Sequence, residues 1–119
     1  MSYLLLIIEH PETRSWPPEE GQRAYERMVR FQSGLKARGV LQASESLLAP
    51  SAGARVEVRG GRRIVVDGPF AEAKEIVGGF FLLDCRSKAE AVAIAAECPA
   101  AEWAIVEVRE VGPCTGPPG

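Results

Sequence analysis

Two short runs constrain the fold of this chain more than anything else in it. They are YLLLII at 3–8 and IVGGFFLL at 76–83. Written as extended strands, the first places Tyr3, Leu5 and Ile7 on one side and Leu4, Leu6 and Ile8 on the other. The second likewise has a phenylalanine and a leucine on each side, among Phe80 to Leu83. A strand that is apolar on both faces must be covered twice. The chain has only two segments with which to cover it.

The first of these follows Pro18, which suits the first helical position, with Glu19 and Glu20 at the positive end of the helix dipole. Ala24, Met28, Phe31 and Leu35 then form one apolar stripe, and Gly39 ends the helix near Arg38. Glu19 with Arg23, and Glu26 with Arg30, are placed as i,i+4 pairs on its solvated side. The second segment opens on the capping box Ser87-Lys88-Ala89-Glu90, is rich in alanine, and stops at Pro99. Between and around the helices the pattern predicts strands at Val40–Leu48 and Trp103–Val111. A hairpin is predicted in ARVEVR-GG-RRIVV, turned by Gly60-Gly61.

The order is strand, helix, strand, hairpin, strand, helix, strand. The expected class is α+β, a ferredoxin-like β-α-β-β-α-β sheet with an inserted hairpin. Two helices cover one face of such a sheet, which leaves the other face apolar and open. A homodimer packed sheet against sheet resolves this. A single domain is expected over 1–111, with a flexible Pro/Gly-rich tail at 112–119.

Composition narrows the function classes. A net charge of -2 argues against a nucleic-acid or anionic-membrane partner. Cys85, Cys98 and Cys114 lack metal-type spacing, and with a single histidine no structural zinc site is expected. Cys85 and Cys98 read as small core residues, and no cofactor motif is present: Gly78-Gly79 is not a phosphate loop, and fits a kinked strand or a close approach instead. The apolar start is too short to span a membrane or serve as a signal segment, so reduced thiols and a cytoplasmic location are the expectation.

The stretches YLLLI, ESLLAP, VVDGPFAEAKEIVGGFFLLD and ECPAA…VEVREV resemble the YCII-related superfamily, in the branch named for its DGPF motif. The likeness runs from Tyr3 to Val111. It implies a dimeric α/β barrel of ferredoxin-like subunits. For activity it implies an uncharacterised protein, since most DGPF-type proteins have no known function. The wider superfamily includes small-molecule enzymes, among them a dehydrochlorinase with a proposed His–Asp pair. Genes of the DGPF type often lie beside those of extracytoplasmic-function sigma factors, which implies a regulatory partner as the alternative role.

The candidate site residues follow from the motif and from charges out of character with their strands. Asp67 closes a strand before Gly68 and Pro69. An Asx-type turn, with Asp67 accepting local N–H bonds, Gly68 free to take positive φ and Pro69 pre-set in φ, is the bland reading. The functional one makes Asp67 an acid/base group, with His10 as partner in a proton relay. Phe70 is a core or interface anchor at the same corner. Glu72 is expected in solvent, Lys74 beside it, and Glu75 drawn inward toward a cation such as Arg109. Glu9, Glu45, Glu107 and Arg109 stand among apolar strand residues, the last two on the face of Trp103 and Ile105. The resulting expectation is a small-molecule-binding protein, enzymatic if Asp67 and Glu75 face one enclosed cavity.

Overall fold

The computed structural model describes residues 1–70 and 74–114. The expected solvent position of Glu72, and the tail beyond Cys114, lie outside the described residues. Strand β1 (Ser2–Glu9) leads through a short 3-10 turn to helix α1 (Pro18–Ala37) and strand β2 (Leu41–Ser46). Strands β3 (Ala54–Arg59) and β4 (Arg62–Asp67) form the hairpin. Strand β5 (Ile76–Asp84), helix α2 (Lys88–Glu97) and strand β6 (Ile105–Glu110) complete the order.

β2, β5, β1 and β6 form one antiparallel sheet in that spatial order, and the hairpin stands as a separate two-stranded sheet. The fold is α+β and compatible with the ferredoxin-like pattern. The two doubly apolar strands are the central pair, as their sequences require: Tyr3 lies opposite Leu83, Leu5 opposite Phe81, and Leu6 opposite Phe80. Tyr3, Leu5, Ile7, Phe81 and Leu83 bury against Leu35 of α1 and Ala91, Ile94 and Ala95 of α2. Cys85 and Cys98 join this core, as small apolar residues should. On the other face Leu4, Leu6, Ile8, Phe80 and Leu82 are only half-buried.

The helix ends carry their expected signals. Ser87 accepts the backbone N–H of Glu90 at 3.2 Å, a cap that contributes about 1 kcal/mol. Gly39 has φ 74°, and Gly60 and Gly61 have φ 57° and 78°, so both residues of the hairpin turn sit in the left-handed region that glycine tolerates. Two details differ. Trp103 ends a 3-10 turn (Pro99–Glu102) and is not part of β6, because its ring packs edge-on against Trp16 at 5.2 Å. The ionic contacts of α1 are long-range: Arg27 holds Glu102, whereas among the described residues no ion pair joins Glu19 to Arg23 or Glu26 to Arg30.

Candidate functional site

A cleft between α1 and the sheet follows from small residues that coincide. On the helix-facing side of β2 the sequence has Ser44 and Ser46, whose partners on β5 are Phe81 and Gly79. Gly79 has no room for more: a Cβ there would lie 2.8 Å from the Glu45 carbonyl oxygen. At this corner β2 offers α1 only serines, and the large side chain from β5 is Phe81, which packs edge-on against Phe31. A cleft of about 470 Å³ results, within the range of small-molecule sites. Met28, Gln32 and Tyr25 of α1 form its roof, Ile7 and Phe81 its floor, and Trp103 one end.

The cleft is lined by Glu9, the last residue of β1. The register explains its position. Ile7 pairs with Gly79 but Ile8 pairs with Val77, so Gly78 bulges out of the ladder. A Cβ at position 78 would overlap the Glu9 carboxylate. The bulge and the missing side chain together make space for Glu9, which is half-buried. The expected close approach at Gly78-Gly79 is therefore present, and it serves a carboxylate and a neighbouring strand.

Trp103 is fixed from two sides. Besides Trp16, the Arg27 guanidinium lies 5.7 Å from its ring centre. Arg27 donates to both carboxylate oxygens of Glu102, one at 3.0 Å. Those hydrogen bonds hold the Glu102 carboxyl below its ordinary value, and raise that of Arg27. Burial pushes both the Cys85 and Cys98 thiols up, so neither is a ready thiolate. No cluster of three potential metal ligands occurs among the described residues.

The sequence-derived candidates fall into three places. Glu9 and Glu45 line the cleft. Phe70 and Glu75 line an open groove of about 540 Å³ with Arg55, Leu47 and Leu48. Arg109 is on the edge strand β6, exposed, with Glu107 at 3.3 Å. Two expectations are corrected here. Glu75 is exposed, because it lies in a bend before β5 begins, and Arg109 takes its neighbour Glu107 as partner.

The DGPF corner also differs from an Asx turn. Asp67 is exposed, and among the described residues its carboxylate takes part in no hydrogen bond or ion pair. Gly68 does not have positive φ. Glycine is required for proximity instead: a Cβ at 68 would overlap the carbonyl oxygen of Pro50, and Gly68 N–H donates to Gly53 at 2.9 Å. Phe70 is capped by Arg55, 4.1 Å from its ring centre. His10, also exposed, places Nδ1 3.2 Å from the Lys74 carbonyl oxygen, and among the described residues no hydrogen bond joins it to Asp67.

Sequence reading missed Ser44, Ser46, Gln32, Tyr25 and Trp103. Nothing marks them locally, since a cleft made by small residues on one strand and a helix roof requires the strand pairing to be known. The family model for the YCII-related domain matches residues 1–115. An uncharacterised protein of Rhizobium meliloti (strain 1021) is 36% identical over 93 residues, which is 77% of this chain and 75% of that relative. No helix is long and apolar enough to cross a membrane among the described residues. With a family match over almost its whole length, the chain belongs to the YCII-related domain family.

Proposed function

We propose that this YCII-related protein binds a small organic molecule in the cleft between α1 and the sheet, with Glu9 as its orienting group. The observation that supports the reading is the half-buried Glu9 carboxylate on a 470 Å³ cleft whose walls combine apolar side chains with Ser44, Ser46, Tyr25, Gln32 and Glu45. A carboxylate so placed accepts a hydrogen bond from an O–H or N–H group of the ligand. It also serves as the base for a proton-transfer reaction of the lyase or isomerase type. Asp67 has less support in that role, since it stands exposed and is not among the cleft residues. We place a second copy of the chain on the open face of the sheet, supported by the half-buried apolar row Leu4, Leu6, Ile8, Phe80 and Leu82.

The test is a ligand-observed NMR screen of small hydroxy acids, amines and ketones, run on wild type, Glu9→Gln and Asp67→Asn. Hits on wild type are expected to weaken by about tenfold or more in Glu9→Gln, as for loss of a charge-assisted hydrogen bond, and to persist in Asp67→Asn. Each hit is then incubated in D₂O with wild type. Deuterium entering a C–H position supports proton transfer, and its absence leaves binding alone. Hits that respond to Asp67→Asn and not to Glu9→Gln would move the site to the DGPF corner.

A further inference from the structure

The hairpin is an arm without a surface to lie on. Every residue of β3 is exposed, and in β4 only Ile64 is not. Val56 and Val65 are direct cross-strand partners, with Val58 next to them on the same face, and all three are nearly two-thirds exposed (65%, 63% and 64%). Residues of this type fit a pleated surface that is covered. An isolated two-stranded hairpin is marginal in water. The radius of gyration is 16.4 Å, against roughly 13.5 Å for a compact chain of this length, and the extents are 48 × 43 × 18 Å.

The base of the arm is held against its own body, while its two strands form a sheet of their own. Gly68 presses against the Pro50 carbonyl and bonds to Gly53, and Arg55 stacks on Phe70. Charge then selects the occupant. Between Ala54 and Asp67 the arm carries four arginines against Glu57 and Asp67, while the rest of the chain carries ten basic and fourteen acidic residues. Arg59, Arg62 and Arg63 crowd the tip. The basic arm and the acidic body are complementary, and complementarity within one sequence is what a two-fold pair of copies uses reciprocally.

We propose that the β3–β4 arm clasps a second copy of this chain, with Val56, Val58 and Val65 packed on the partner body and the tip arginines facing its acidic surface. The clasp rests on the dimer placed on the open sheet face, and adds a second contact to it. The experiment is a sedimentation concentration series at two salt concentrations. It compares wild type, Val56→Asp/Val65→Asp, Arg59→Glu/Arg62→Glu/Arg63→Glu and the sheet-face variant Phe80→Asp, with thermal melts to check folding. Both arm variants are expected to raise the dimer Kd by about tenfold or more, and the arginine variant to lose the salt sensitivity of wild type.

Because arm variants could misfold locally, a benzophenone side chain at position 58 in unlabelled protein is photolysed after mixing with ¹⁵N protein. Cross-links from position 58 to ¹⁵N-labelled body peptides are the expected result. If the folded arm variants keep the wild-type Kd and position 58 cross-links only within its own chain, the clasp is wrong while the sheet dimer stands. If wild type is monomeric at its highest soluble concentration, the clasp and the dimer fall together. Cross-links to co-purified nucleic acid, with none to a second copy, would overturn the choice of occupant.

Discussion

Replacing Gly68 by alanine is expected to lower the melting temperature by roughly 5–15 °C, from a cost of about 1–3 kcal/mol for forcing atoms into filled space. The reason is the nature of the neighbour. The added methyl meets the Pro50 carbonyl oxygen and lies 3.3 Å from the Ser51 Cα, both of them backbone. Neither rotates aside, so the corner must open and the Gly68 to Gly53 hydrogen bond is lost with it. Gly78→Ala offers the contrast. There the methyl meets the flexible Glu9 side chain and not backbone, so the cost to stability is expected to be smaller than at Gly68. Circular-dichroism melts of the two variants check the pair: a large fall for Gly68→Ala and a small one for Gly78→Ala, the latter with a loss of ligand binding in the cleft. A Gly68→Ala protein that melts within a degree or two of wild type would mean that the turn is not held against Pro50.

The same comparison shows what the sequence makes legible. Patterns with a local cause were readable. Tyr3–Ile8 and Ile76–Leu83 emerged as strands apolar on both faces, and the sheet order makes them the central pair. Ser87, Gly39 and Gly60-Gly61 emerged because caps and tight turns are made by residues within a few positions of one another. Features with a long-range cause were not. The requirement for glycine at 68 comes from Pro50, eighteen positions earlier, so DGPF reads as a self-contained turn when the backbone beside it is unknown. Glu75 was expected inward because it adjoins an apolar strand, yet it precedes the strand and stays in solvent. The cleft was hardest to see. Period-two reading locates side chains that are present, and this cavity is shaped by their absence at Gly79 and their small size at Ser44 and Ser46. Glu9 was singled out as a charge on an apolar face, but the bulge at Gly78 that accommodates it appears only in the register.

The open face of the sheet supplies the other large effect. Phe80 lies opposite Leu6 on one side and Glu45 on the other, at the centre of the half-buried apolar row. In a lone subunit an aspartate at this position would face water, and the helix-side core of Leu5, Leu35, Leu83 and Ile94 would be untouched. In a sheet-to-sheet dimer the same aspartate would be an unpaired charge at the middle of an apolar interface, where solvent cannot reach it. Central anchors of this kind typically carry about 2–4 kcal/mol, so Phe80→Asp is expected to raise the dimer Kd by roughly 30- to 1000-fold while the secondary structure is retained. Sedimentation equilibrium measures the first and far-UV circular dichroism the second. The melting temperature gives an independent reading: it should rise with protein concentration in wild type, as mass action on a dimer demands, and lose that dependence in the variant. A Phe80→Asp protein that dimerises with the wild-type Kd would place the interface elsewhere. The apolar row would then be a surface for some other partner.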